Sequence, residues 1–256
     1  MTDKTQQGGV NTEVNKGIAT VEFHHPASNS LPGKVLAQLA DEITKCGEND
    51  EVKVIVLKSS GDRAFCAGAS FDELLSIADF DTGKKFFMGF ANVINAARKC
   101  PKFIIGRVQG KAVGGGVGMA SAVDYCLATK YAAVKLSELA IGIGPFVVGP
   151  AVERKVGTSA MSQLAIDATE WQTAEWAKQK GLYTDVFETA DELDAAVSEL
   201  AHKLAAYNPD AMKQLKRTFW EGCEDWDAKL SKRAELSGKL VLGDFTKNFI
   251  QKFKSK

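Results

Sequence analysis

The spacing of apolar residues predicts alternating strands and helices over the first part of the chain. Residues 17–25 alternate apolar and polar side chains, the period of a half-buried strand. Residues 52–57 and 101–108 are short apolar runs rich in β-branched side chains, which is typical of strands buried on both faces. Residues 34–46 place their apolar side chains on one helical face. These elements predict an α/β core.

The last third of the chain shows mainly helical spacing, apart from a predicted strand at 184–187. We predict helices over residues 151–166, 173–180, 191–207, 209–221, 226–242 and 244–253. The resulting organisation is a flexible N-terminal tail (1–16), an α/β core (17–195) and a C-terminal helical region (196–256).

Charge and hydropathy exclude several classes of function. Lys plus Arg and Asp plus Glu both number 32, so the formal net charge is zero, which disfavours nucleic-acid partners. The longest strongly apolar stretch free of charge, residues 139–152, is interrupted by glycines and prolines and is too short to span a membrane. The first 16 residues are polar and lack the apolar core of a signal peptide, so we expect a cytoplasmic protein. Five cysteines without Cys-x-x-Cys spacing predict free thiols and no metal site.

A glycine-rich segment, residues 109–119, follows the predicted strand at 101–108 and contains Gly114, Gly115 and Gly116 in succession. No Gly-Lys pair in the chain is followed by Ser or Thr, which excludes a Walker-type phosphate loop. The dinucleotide fingerprint also fits poorly, because its third glycine falls on Met119 or Ser121. Two interpretations remain: close packing of a helix start against a strand, or free backbone N–H groups that point at a ligand oxygen.

A second small-residue segment, residues 63–71, also lies between a strand and a helix. Ser70 could be a nucleophile, but the sequence around it lacks the second glycine of a nucleophile elbow. Ser70 is better explained as the residue that caps the following helix.

Together these two segments resemble the enoyl-CoA hydratase/isomerase (crotonase) family. The resemblance rests on residues 64–69 (AFCAGA) and 109–116 (QGKAVGGG), and extends through 124–129, through Ser137-Glu138-Leu139 and to Asp244-Phe245. It covers the chain from about residue 17. It implies a crotonase-type α/β fold: a spiral of strand–strand–helix (ββα) units with a C-terminal α-helical trimerisation region.

The resemblance also implies a site. The backbone N–H groups of Ala69 and Gly115 would polarise the carbonyl of an acyl-CoA thioester, and such donors are most effective when they are already in place before charge develops. CoA belongs to the substrate, so neither a metal nor another cofactor is implied. The chain departs from the family pattern at Ser70 and Asp72, where an acidic and then a basic residue are common. The expected substrate-binding residues are Ala67, Ala69, Ser70, Phe71, Asp72 and Gly115.

The acid/base groups differ from the hydratase pattern implied by the family. Of its two glutamates, the second matches Glu138, whereas the first falls on Gly118. Apolar neighbours of Glu138 predict a raised pKa for its carboxyl group. One carboxylate can take up and return a proton, so Gly118 favours an enoyl-CoA isomerase. A hydratase of a branched substrate such as methylglutaconyl-CoA stays open, and the missing side chain at Gly118 is expected to leave room for a bulky acyl group.

The expected partner is therefore an acyl-CoA, with no nucleic acid and no membrane. By resemblance the chain forms a homotrimer or a dimer of trimers. The alternative from another functional class is a non-catalytic acyl-CoA-binding protein. Asp124 is interpreted as structural and Glu153 as a surface charge, while Cys66, Cys100 and Cys126 are predicted to be buried in the core.

Overall fold

The computed structural model describes residues 8–254 and forms two sheets surrounded by helices. Its strands are β1 (Gly9–Asn15), β2 (Ile18–His24), β3 (Val54–Ser59), β4 (Ala64–Cys66), β5 (Phe103–Val108), β6 (Lys111–Val113), β7 (Tyr125–Thr129), β8 (Val134–Lys135) and β9 (Asp185–Phe187). Its helices are α1 (Gly33–Glu48), α2 (Phe71–Ser76), α3 (Phe80–Lys99), α4 (Gly115–Ala122), α5 (Gly149–Ile166), α6 (Ala174–Gln179), α7 (Ala190–Ala205), α8 (Pro209–Phe219), α9 (Trp226–Leu240) and α10 (Asp244–Lys254), with a short 3-10 helix at Leu139–Ile141.

The larger sheet has six strands in the order β1-β2-β3-β5-β7-β9. Only the β1–β2 pair is antiparallel, and every other neighbouring pair is parallel. The smaller sheet is parallel, in the order β4-β6-β8. Each of the successive pairs β3–β4, β5–β6 and β7–β8 places one strand in each sheet, and helices follow the first two pairs, as the predicted ββα spiral requires.

The β-branched run in β3 is buried on both faces of the larger sheet. Ile55 and Leu57 join the main core with α1 and α3, whereas Val54 and Val56 face a second core beneath α7 and α8. Successive side chains of a strand point to opposite faces, so a strand covered on both sides needs apolar residues at every position.

The C-terminal helix α9 packs against α3 more extensively than any other helix pair. At their crossing, a Cβ added to Gly83 would lie 3.1 Å from the carbonyl oxygen of Gly238. The two backbones therefore touch without a side chain between them. This contact fixes α9 beside the aromatic residues of α3.

The predicted N-terminal tail and domain boundary need correction. Residues 9–15 of the predicted tail form β1, which pairs with β2 along its whole length because the two strands meet at a tight turn at Lys16 and Gly17. Residues 1–7 lie outside the described residues. The predicted boundary between 195 and 196 falls inside α7, a continuous helix that covers β3, β5 and β7.

Smaller differences concern the loops. The small-residue segment at 63–71 contains the three-residue strand β4. The helix expected after this segment is divided after Ser76 into α2 and α3, because Asp79 caps α3 through a capping box with Thr82. Short strands and caps of this kind carry little periodic signal.

Candidate active site

The small-residue segment at 63–71 holds Ala69 in an extended bridge with Leu31. The amide of Leu31 donates to the carbonyl of Gly68 at 2.8 Å, and the amide of Ser70 donates to the carbonyl of Leu31 at 2.9 Å. Because Leu31 bonds to the residues on either side of Ala69, the N–H of Ala69 faces away from it. No described group accepts a hydrogen bond from this N–H.

The glycine triplet supplies the second amide. Gly114 has a φ of +52°, and its own N–H is bonded to the carbonyl of Lys135 at 2.9 Å. Gly115 then begins α4, so its N–H has no partner within the helix. A Cβ at Gly115 would lie 2.3 Å from the ring of Phe90. Glycine is therefore required by backbone conformation at the first position and by close packing at the second.

The two residues that carry these amides border one cavity of about 200 Å³. Ala69 and Gly115 line it, as do the predicted residues Ala67, Phe71 and Glu138. Most of the remaining wall is apolar: Leu74, Phe86, Phe87, Phe90, Ile141, Ile143, Pro145, Phe146, Val147 and Val148. The arrangement places two backbone donors and one carboxyl group in a largely apolar cavity.

Ser70 and Asp72 lie outside the cavity wall. The buried hydroxyl of Ser70 accepts a hydrogen bond from the amide of Glu73 at 3.3 Å and so caps α2, as the sequence suggested. Asp72 follows in the first turn of α2, where a carboxylate is favourable against the helix dipole. Their assignment to substrate binding stays a prediction.

Glu138 stands at the start of the short 3-10 helix. Its carbonyl accepts hydrogen bonds from the amides of Ile141 and Ile143, which fixes the backbone that carries the side chain. A Cβ on Gly114 would lie 2.9 Å from Oε1 of Glu138, so the carboxyl group sits against the glycine triplet. Oε2 is buried and has no hydrogen-bond partner among the described residues.

The electrostatic consequence is a carboxyl group that titrates near neutrality. Removal from water penalises the charged form and raises the pKa of Glu138 from its ordinary 4.5 to about 7. The expected rise in its pKa is confirmed. Since an effective general base has a pKa near the working pH, Glu138 is suited to both take up and release a proton.

The structure has no free space at Gly118 for the bulky acyl group that the sequence suggested. A Cβ at Gly118 would lie 2.6 Å from Cγ1 of Val148, which itself lines the cavity. The side chain of Val148 thus occupies the space that a glutamate at position 118 would need. The sequence carries no signal for this contact, because Gly118 lies in α4 and Val148 lies in the turn before α5, 30 residues later.

The other candidate side chains have structural roles. Asp124 forms a buried ion pair with Lys216 at 2.8 Å and accepts a hydrogen bond from Nε1 of Trp220 at 3.2 Å. Glu153 is exposed. All five cysteines are buried and free, and burial raises the pKa of Cys66 to about 12, so it stays protonated.

Two kinds of feature are absent from residues 8–254. No cluster of three or more His, Cys, Asp or Glu side chains forms a candidate metal site in that range. None of its helices is both long and apolar enough to cross a bilayer.

Comparison with known proteins agrees with the geometry. The sequence model of the enoyl-CoA hydratase/isomerase family matches residues 13–252. The chain belongs to this family. Short-chain-enoyl-CoA hydratase of Clostridium acetobutylicum is 28% identical over 239 residues, which are 92% of this chain and 90% of that protein. Human mitochondrial methylglutaconyl-CoA hydratase is 29% identical over 217 residues, 83% of this chain and 63% of that protein.

A solved structure of the family confirms the predicted fold class. The crystal structure of enoyl-CoA hydratase from Bacillus halodurans matches with a TM-score of 0.88 at 20% identity, covering 95% of this chain and 99% of that one. The predicted crotonase fold and family membership are therefore confirmed. Family members act on acyl-CoA substrates, and the chain is an enzyme of the enoyl-CoA hydratase/isomerase type.

Proposed function

We propose that the protein is an enoyl-CoA isomerase in which Glu138 moves one proton within the acyl chain. The observation that carries the proposal is that Glu138 is the only titratable side chain among the described residues lining the cavity. Position 118, where the hydratase pattern would supply a second carboxylate, is a glycine packed against Val148.

The proposed reaction balances with this one group. The Glu138 carboxylate removes a proton from C2 of a 3-enoyl-CoA, and the electron pair moves onto the thioester oxygen. The N–H groups of Ala69 and Gly115 stabilise that negative charge. Glu138 then returns the proton to C4 while the double bond shifts from C3–C4 to C2–C3. Backbone donors and one carboxylate suffice, so the proposed chemistry needs no metal or redox cofactor.

Hydration makes a larger demand on the site. Water must be activated on one side of the double bond while a proton is delivered to the neighbouring carbon. A pair of acid/base groups meets that demand more readily than Glu138 alone. Hydration of a branched substrate is the second candidate, favoured by the likeness to methylglutaconyl-CoA hydratase. Against it, no basic side chain among the described residues lines the cavity to pair with an acidic acyl group.

The test is a turnover screen with a 3-enoyl-CoA, a 2-enoyl-CoA and methylglutaconyl-CoA. We expect isomerisation of the 3-enoyl substrate to exceed hydration of the other two. Glu138→Gln should reduce it by about 10²- to 10⁴-fold. Glu153→Gln, which changes an exposed carboxylate, is the matched control and should leave the rate unchanged.

Two further measurements test the role of Glu138 in the isomerisation. The wild-type kcat/KM should rise with pH through about 7, as the carboxylate of Glu138 ionises. In D₂O, part of the product should keep the original proton, because one group carries it from C2 to C4. Hydration far faster than isomerisation would refute the proposal. Unchanged turnover in Glu138→Gln would refute the role of Glu138, and binding without turnover in the wild type would favour the non-catalytic alternative.

The proposal also covers the oligomeric state and the cellular location of the protein. The C-terminal helices α8–α10 expose large apolar side chains that a homotrimer or a dimer of trimers would cover: Leu215, Phe219, Leu236, Leu240 and Phe245. Light scattering at micromolar concentration would test the oligomer. Five unpaired thiols support a location in a reducing compartment, the cytoplasm.

A further inference from the structure

Ser237 is the one hydroxyl group of the cavity wall that is fully buried and has no partner in the described part of the chain. It lies on α9, is 1% exposed, and lines the same cavity as Glu138. Its Oγ has no hydrogen-bond partner among residues 8–254. A buried hydroxyl without a partner is unfavourable, so a group that enters the cavity can supply what the protein does not.

The absence of a local partner is unusual for a serine inside a helix. Such a serine commonly donates to the carbonyl four residues earlier. Ser121 in α4 does so, donating to the carbonyl of Val117 at 2.8 Å while fully buried. Ser237 has the same burial and the same helical setting but leaves its hydroxyl unbonded. The difference between these two serines is that Ser237 borders the cavity and Ser121 does not.

The helix crossing places Ser237 away from the two backbone donors. Gly238, the neighbour of Ser237, contacts α3 at Gly83. Further along α3, Phe90 packs against Gly115. Seven residues of helix separate Gly83 from Phe90, a distance of roughly 10 Å along α3. Ser237 therefore lies towards the far end of an acyl chain whose thioester is held at Gly115.

The surroundings restrict the chemistry of the group that Ser237 could bind. Leu74, Phe86 and Phe87 line the cavity from α2 and α3, and no basic side chain of the described residues joins them. A carboxylate at this end would be an unpaired buried charge, which is strongly unfavourable. A neutral hydroxyl or keto oxygen needs only one hydrogen bond. The cavity of about 200 Å³ is also larger than the ~150 Å³ that accepts a benzene-sized molecule.

We propose that Ser237 is a specificity-determining residue that hydrogen-bonds a neutral oxygen substituent on the distal part of the acyl chain. The preferred substrate class is therefore a medium-length acyl-CoA that carries a hydroxyl or keto group, rather than a plain alkyl chain. This inference rests on the proposed acyl-CoA function, but not on whether the reaction is isomerisation or hydration.

The test uses saturated acyl-CoAs, which bind but cannot turn over. Hexanoyl-CoA and octanoyl-CoA are each compared with the derivative that carries a hydroxyl or keto group on the carbon before the last, by calorimetry on the full-length protein. The wild type should bind the oxygenated member of each pair about 3- to 10-fold more tightly, the effect of one net hydrogen bond. Ser237→Ala should reverse that preference, because the oxygen then enters an apolar wall without a partner.

Ser121→Ala is the matched control, since it removes a hydroxyl equally buried in a helix but bonded to the backbone. It should keep the wild-type preference, and circular dichroism should show that both variants are folded. Equal binding of alkyl and oxygenated chains by the wild type would refute the inference and leave the proposed function standing. The same preference in Ser237→Ala as in the wild type would also refute it. Failure of every acyl-CoA to bind would overturn the proposed function and the inference together.

Discussion

Replacing Glu138 with glutamine should change how the stability of the protein depends on pH. The pKa of Glu138 is raised from 4.5 to about 7 in the folded protein, whereas in the unfolded chain the side chain is solvated and titrates normally. Between these two values the folded state binds more protons than the unfolded state. The free energy of unfolding of the wild type therefore falls as pH rises through this window, and levels off above pH 7.

The magnitude follows from the difference between the two pKa values. A rise from 4.5 to about 7 corresponds to about 3 kcal/mol of stability that is present at low pH and absent at high pH. Most of this, roughly 2 to 3 kcal/mol, is lost between pH 5 and pH 8. Glutamine resembles the neutral carboxyl group in shape and does not ionise, so Glu138→Gln should escape the loss.

The assay is guanidinium unfolding of wild type and variant at pH 5 and pH 8. Glu138→Gln should be close to the wild type at pH 5 and more stable by about 2 kcal/mol or more at pH 8. Glu48→Gln, at an exposed position in the last turn of α1, is the control and should differ little from the wild type at either pH. If wild type and Glu138→Gln lose the same stability between the two pH values, the carboxyl group of Glu138 is not desolvated and the reasoning about its pKa is wrong.

Three other predictions concern the packing at Gly118, the buried ion pair of Asp124 and the burial of the thiols. Gly118→Ala should destabilise the protein by about 1–3 kcal/mol through its clash with Val148, and Val148→Ala should recover most of that loss in a double-mutant cycle measured by denaturation. Lys216→Ala leaves the buried carboxylate of Asp124 without its ion-pair partner and should reduce the free energy of unfolding by about 3–5 kcal/mol. The control Lys229→Ala removes an exposed ion pair and should change stability by less than about 1 kcal/mol. All five thiols should react with a thiol reagent rapidly only after unfolding, and rapid reaction of the native protein would contradict their burial.

The local elements of the fold could be predicted wherever the sequence repeats a pattern. The alternation in 17–25 became β2, and the one-sided apolar spacing in 34–46 became α1. The strand β1 was missed because its polar sequence GVNTEVN has little burial on either face. It is held by seven registered pairs with β2, a long-range property that no local window contains.

The candidate site was predictable to the extent that backbone chemistry leaves a trace in the sequence. Runs of glycine and alanine indicated free backbone amides, but the particular residues Ala69 and Gly115 were named through the resemblance to the enoyl-CoA hydratase/isomerase family. Val148 and Ser237 left no such trace, because neither belongs to a recognisable motif. Val148 matters through its contact with Gly118 and Ser237 through its place in the cavity wall, and only the tertiary structure shows either.

The helix α9, which contacts α3 through Gly238 and Gly83, lies far along the sequence from the residues of the reactive centre. The amides that would hold the thioester belong to Ala69 and Gly115, whereas Ser237 belongs to a helix more than a hundred residues later. Substitutions along that late helix can alter substrate preference while the sequence of the reactive centre stays unchanged. A library confined to the second half of α9 would thus be a compact starting point for directed evolution, provided that Gly238 itself is left untouched.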